Sequence, residues 1–163
     1  MAIHTLEPHL IESLQQSARE ILETMVSMSP QAVTAEPETA SSFSDEVIGL
    51  LGFTGTRSGT FVVRAPEILA KTVAAKMLMM DPTEMTSFQD ASDAFGEVVN
   101  MLGGNFKNAW VAGGNQMELS MPNVIHMGTV RVQSDSDGSL RSRIRVTLAE
   151  GLLDIGVHFQ AAD

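Results

Sequence analysis

The chain has 163 residues, enough for one domain with a substantial core, and carries 20 acidic against 10 basic residues for a net charge of -10. That balance argues against a phosphate-backbone binder, which needs a concentrated basic face, and the absence of cysteine removes disulfides, thiolate metal sites and cysteine nucleophiles. No apolar run approaches the ~18 residues that cross a bilayer, and Met1 to Pro8 lacks the basic flank and apolar block of a secretory signal, so a cytoplasmic protein with no membrane or nucleic-acid partner is expected.

From Leu6 to about Ser29 the pattern is helical. Leu6, Leu10, Leu14, Ala18, Ile21, Met25 and Met28 recur at spacings of three and four, with Glu12, Gln16, Arg19 and Glu23 on the other side. Pro8 suits the first turn, where a missing N–H costs little, and Pro30 marks the end. Residues 31–45 are polar and rich in breakers, and read as a short edge strand followed by a loop. Val47 to Phe53 and Gly59 to Arg64 read as strands joined by a hairpin connection, Thr54 to Ser58. Pro66 opens a second helix running to about Met80, stopped by Asp81-Pro82.

The longest helix is expected from about Phe88 to Trp110. Its apolar spine, Ala91, Phe95, Val98, Leu102, Phe106 and Ala109, falls within a sector of about 80° at 100° per residue. Asp93, Glu97, Asn100, Gly104 and Lys107 fall within about 40° of the opposite pole. Glu97 and Asn100 therefore cannot be core residues if the helix packs on its spine.

The last third reads as β. Gln116 to Ser120 precedes Pro122, and Val124 to Gln133 forms a strand ending in the turn Asp135-Ser-Asp-Gly138. Leu140 to Leu148 follows, with Ile144, Val146 and Leu148 alternating against Arg141, Arg143 and Arg145, the arginines read as a solvated strand face. A turn at Glu150-Gly151 leads to Leu153 through Phe159. The whole is expected to be one domain over residues 1–163, of α+β class, with a largely antiparallel sheet packed with helices.

The segment from Asp93 to Lys107 is the one organised polar cluster. A polar helix face normally just meets water, but two details argue for more. Gly103 and Gly104 each cost about 0.8–1 kcal/mol relative to alanine inside a helix, and glycines on or beside the exposed face clear space next to Asn100 for a partner's backbone. Asparagine is also a mediocre helix former, so solubility alone favours Lys, Glu or Gln at its position. Elsewhere, His4, His9, His126 and His158 show no metal-ligand spacing and read as structural or exposed. Asp135 to Gly138 has neither the glycine position nor the closing Glu of a calcium loop. The glycine pairs at 103–104 and 113–114 lack a phosphate loop's Lys-Ser/Thr. The eleven methionines, mostly at core-periodic positions, read as packing material.

The segment resembles the CheC/CheX/FliY family of bacterial chemotaxis phosphatases, and the CheX branch in particular. That family's motif is an Asp or Ser, three residues, Glu, two residues, Asn, and a proline a little over twenty residues on. Here it reads Asp93, Glu97, Asn100 and Pro122, the proline about one residue early. Ile21 to Met25, Ser58 to Val63 and Met101 to Asn105 are similar to CheX as well. CheC-like members carry a second copy of the motif; its counterpart here, Glu20-Ile-Leu-Glu23, has Glu where Asn is required, so one intact copy gives the CheX-like arrangement.

The resemblance implies an enzyme that hydrolyses the aspartyl phosphate of a CheY-type receiver. Asn100 is implied to orient the attacking water and Glu97 to pair with a receiver lysine. Asp93, Gly103, Gly104, Lys107 and Pro122 are implied to support the motif or contact the partner. No metal or cofactor of its own is expected, the Mg²⁺ belonging to the receiver, and a homodimer formed through the sheets is implied. The competing reading is a non-catalytic receiver-binding or switch-complex adaptor on the same fold, as in FliM-type proteins. Retention of both Glu97 and Asn100 favours catalysis, since an adaptor needs no carboxamide there. A small-molecule-binding domain requires an apolar pocket with converging polar groups, for which the sequence offers no sign.

Overall fold

The computed structural model describes residues 6–85, 87–132 and 140–160. Three helices, α1 (Pro8–Thr24), α2 (Glu67–Met77) and α3 (Phe88–Ala112), pack on one side of an antiparallel sheet. The strands are β1 (Ala32–Glu36), β2 (Ser42–Phe43), β3 (Val47–Gly55), β4 (Gly59–Ala65), β5 (Met117–Leu119), β6 (Asn123–His126), β7 (Val130–Arg131), β8 (Leu140–Leu148) and β9 (Gly151–Phe159). The large sheet runs β1-β8-β9-β4-β3, with β5 and β6 sharing the far edge of β3, and a separate ladder joins β2 to β7. This is the α+β architecture expected from the sequence, with β1 as an edge strand.

The core lies between the helices and the inner face of the sheet. Val47, Leu51 and Phe53 of β3, Phe61 and Val63 of β4, Ile144 and Val146 of β8, and Ile155, Val157 and Phe159 of β9 meet Leu14 and Ile21 of α1 and Phe95, Val98, Leu102 and Phe106 of α3. The predicted spine of α3 is borne out: Ala91, Phe95, Val98, Leu102 and Phe106 are buried and Ala109 partly so. Burying five apolar side chains on one helix face anchors α3 so firmly, at about 1.5–3 kcal/mol for each large one, that its opposite face is presented as a rigid surface.

Several boundaries differ from the sequence reading. α1 stops at Thr24, well before Pro30, because Ser27 adopts a left-handed φ of 59° that turns the chain toward β1. α2 ends at Met77 rather than Met80, again through a left-handed residue, Met79 at φ 56°. The continuous strand expected from Val124 to Gln133 is broken: Met127, at φ 56°, ends β6, and the chain leaves β3 to pair β7 with β2. The expected turn at Asp135–Gly138 and His4 lie outside the described residues.

The arginines of β8 are not a solvated face. They point to the outer side of the sheet, where Arg145 binds both carboxylate oxygens of Asp154 at 2.9 and 3.1 Å and Arg143 reaches Glu36 at 2.8 Å. Arg141 is buried. Arg64 of β4 joins the network through Glu38, Asp45 and Asp154. Phe43 of the β2–β7 ladder closes over it, its ring 4.3 Å from the Arg64 guanidinium and edge-on to His158. Alternation along β8 correctly separated two faces; the chain then covers the polar one.

Candidate functional site

α3 carries the polar motif on the side turned away from its spine. Asp93, Glu97 and Asn100 are exposed, and Gly104 and Lys107 are half-buried. Asp93 accepts a hydrogen bond from the Gln89 side chain at 2.9 Å, one turn back on the same helix. Neither the Glu97 nor the Asn100 side chain has a hydrogen bond or ion pair among the described residues. On a helix, positions three apart hold their Cβ atoms about 5–6 Å from one another, so an acceptor carboxylate and a bifunctional carboxamide stand side by side with nothing to satisfy them.

Pro122 lies close to this face. β5 and β6 pair with β3 in one continuing register: Leu119 faces Phe53 and Asn123 faces Leu50. Ser120 keeps contact with Gly52 through its backbone N–H (2.8 Å to the carbonyl) and accepts the Gly52 N–H on its hydroxyl at 2.9 Å. Met121 and Pro122 are thus two residues opposite Leu51 alone, a bulge on an edge strand, where a residue without an N–H breaks no ladder bond. The bulge turns Pro122 inward onto Gly96 of α3, its Cγ 3.8 Å from where a Cβ would stand, and leaves Met121 83% exposed. Pro122 therefore packs one helical turn before Asn100.

The two glycines behind Asn100 divide. Gly103 is buried, and a Cβ there would overlap the side chain of Leu51, itself fully buried on β3. Its role is close packing of α3 on the sheet rather than the clearing of an exposed face, because one residue is a 100° rotation around the helix. Gly104 points the other way, and a Cβ there would meet nothing within 4 Å. Opposite stability effects follow. Gly103→Ala is expected to lower the thermal midpoint, since overpacking costs about 1–3 kcal/mol and outweighs the helix-propensity gain. Gly104→Ala is expected to raise it by collecting about 0.8–1 kcal/mol of propensity with no clash. A pair of calorimetric scans checks both signs.

The methionines also divide. Met28 and Met117 are buried, whereas Met25, Met79, Met121 and Met127 are 54%, 95%, 83% and 68% exposed, so packing alone does not account for them. Met121 was findable in the sequence: a proline closing a strand-like run signals a bulge, and a bulge expels a neighbour. Among the described residues no cluster of His, Asp and Glu could hold a metal ion. No described helix is long and apolar enough to cross a membrane. His126 is stacked on Phe88 at 3.8 Å and lies 3.3 Å from Glu67, so it ties the start of α3 to α2 and β6.

An exposed carboxylate and carboxamide on a rigid helix, with no metal-holding cluster among the described residues, suit a site completed by a partner. The comparisons bear on the fold and the family. Residues 47–142, which contain the whole motif, match the model of the family described as chemotaxis phosphatase CheX. No curated protein matches the chain. Among solved structures, a chemotaxis protein CheX from Desulfovibrio desulfuricans aligns at a TM-score of 0.80 and 21% identity, over 93% of this chain and 99% of that one. A CheC-like superfamily protein from a Shewanella species aligns at 0.74 and 24%, over 96% and 100%. The CheX of a CheX-CheY-BeF3-Mg complex from Borrelia burgdorferi aligns at 0.73 and 17%, over 93% and 97%. With more than half of its length matched by that model and its fold shared from end to end, the chain belongs to the CheX family.

Proposed function

We propose that this protein is a cytoplasmic phosphatase that hydrolyses the aspartyl phosphate of a CheY-type receiver, with α3 inserted over the receiver's active site. The observation that carries the reading is the exposed, unpaired Glu97/Asn100 pair on a well-anchored helix, in a chain of the CheX family. The Borrelia burgdorferi complex, in which a protein of this fold is held with CheY, BeF3 and Mg, supports the choice of partner.

The chemistry fits the residue types. Phosphoryl transfer needs an in-line water and neutralised equatorial charge more than it needs a protein nucleophile. The Asn100 carboxamide accepts a hydrogen bond from that water on its oxygen and offers its N–H to the phosphoryl oxygens. The Glu97 carboxylate pairs with the receiver's lysine and so fixes the helix in register over the phosphate. The receiver supplies the divalent ion. Pro122, seated on Gly96, and Asp93, held by Gln89, keep the motif's surroundings rigid.

The test is phosphate release from an acyl-phosphorylated receiver in Mg²⁺, with and without this protein. Acceleration of release is expected. Binding of the receiver without any acceleration would convert the reading to an adaptor on the same fold. Unchanged release with no binding, across the receivers of the source organism, would remove the receiver as partner.

A further inference from the structure

We infer that the groove between α1 and α3 is the second half of the docking surface, and that it seats an apolar segment of the receiver next to the lysine that meets Glu97. This rests on the receiver-phosphatase reading and names a contact which that reading leaves open. The groove has a volume of about 590 Å³; Ile21, Thr24 and Met25 form one wall, Met101 and Leu119 the other, and Gly104 the floor. It is continuous with the motif, since Met101 follows Asn100 directly and Gly104 lies one turn further along α3.

Three features point to an occupant. Gly104 is a helix-weakening residue with no intramolecular reason, because nothing within 4 Å would oppose a side chain there. A close-approaching partner supplies the reason. Met25 stands 54% exposed at the C-cap of α1 and lines the groove together with Met101, so the groove presents adaptable apolar surface to water. Glu20 and Lys107 balance on the lining itself, and the exposed Glu97, one turn before Met101 on the same face of α3, tips the approach to the groove toward negative charge. An apolar segment flanked by a cation complements both the floor and the rim, and a receiver presenting its lysine beside the phosphorylated aspartate has that form.

The experiment separates this from the function itself. Affinity for a BeF3⁻–Mg²⁺-activated CheY-type receiver is measured by calorimetry, and steady-state phosphate release by KM and kcat, for wild type, Gly104→Leu, Met25→Glu and Met79→Glu. The Gly104→Leu side chain starts from a Cβ that meets nothing within 4 Å, is expected to fill the groove, and is expected to weaken binding and raise KM about 10-fold or more. Met25→Glu is expected to do so about 5-fold or more, and Met79→Glu, at the end of α2, to match wild type. Gly104→Ala is expected to raise the thermal midpoint by about 3 °C while weakening binding, a combination that a purely structural role does not produce. Wild-type binding and catalysis with unchanged affinity in both Gly104→Leu and Met25→Glu would overturn the groove assignment and leave the phosphatase intact. A wild type that binds no receiver would overturn both together.

Discussion

Replacing Asn100 by alanine is expected to lower the turnover of receiver dephosphorylation by about 10²–10³, the usual cost of deleting one preorganised hydrogen-bonding group aimed at a transition state. Receiver affinity is expected to change less than about threefold. The variant cannot fail merely by unfolding: Asn100 is exposed, has no hydrogen-bond partner among the described residues, and gives way to a better helix former. Asn100→Asp keeps the shape but replaces the N–H donor with a second acceptor and sets a carboxylate beside the phosphate, so it is expected to be at least as inactive. Glu97→Ala should behave differently. A hydrogen bond to a charged group is worth about 1.5–3 kcal/mol once the interface excludes water, so binding is expected to weaken by about 10- to 100-fold, with a loss that shrinks at high salt. Single-turnover kinetics at saturating receiver separate the two effects. Wild-type turnover in Asn100→Ala would remove the water-positioning role.

The exposed face that carries Glu97 and Asn100 could be read from the sequence because α3 is the element whose pattern is least ambiguous; the roles given to the two residues are what the family resemblance implies. Six apolar positions repeating every three or four residues fix both its extent and its outward face, and the long buried spine holds that face rigid. What surrounds the helix was less legible. Gly103 and Gly104 look alike in sequence, and only the position of Leu51 on β3 shows that one is packing and the other open surface. The left-handed turns at Ser27, Met79 and Met127 fall on residues that carry no turn signal, so three boundaries were misplaced. The outer sheet face was missed for a different reason. Alternation reports that Arg141, Arg143 and Arg145 share a side, whereas the cover of that side depends on residues far away in the chain: Glu36 pairs with Arg143 and Arg145, and Glu38 and Phe43 fold over the neighbouring Arg64.

That covered face carries an acid-labile group. His158 is 1% exposed, and neither ring nitrogen has a hydrogen-bond partner among the described residues. Burial first, and then the nearby Arg141 and Arg64 guanidiniums, lower its pKa to about 4, although Glu38 lies 3.9 Å from Nε2. The folded value lies below the unfolded one of 6.5, so between these two pH values the unfolded chain binds more protons and stability rises with pH. The His158 contribution is therefore complete above about pH 7 and is lost as pH falls toward 4. The displacement corresponds to about 3 kcal/mol in all, of which about 2 kcal/mol is gone by pH 5. That is a large share of a typical domain's stability of about 5–15 kcal/mol. Urea midpoints measured from pH 7.5 to 5 are expected to show this fall, and His158→Phe, of similar volume, is expected to flatten it. A ring-proton NMR titration placing His158 near 6.5, or equal slopes in wild type and His158→Phe, would move the origin of acid lability elsewhere. The same result bears on Phe43: a charged imidazole between two guanidiniums favours opening of the β2–β7 ladder, whose ring is packed edge-on against it.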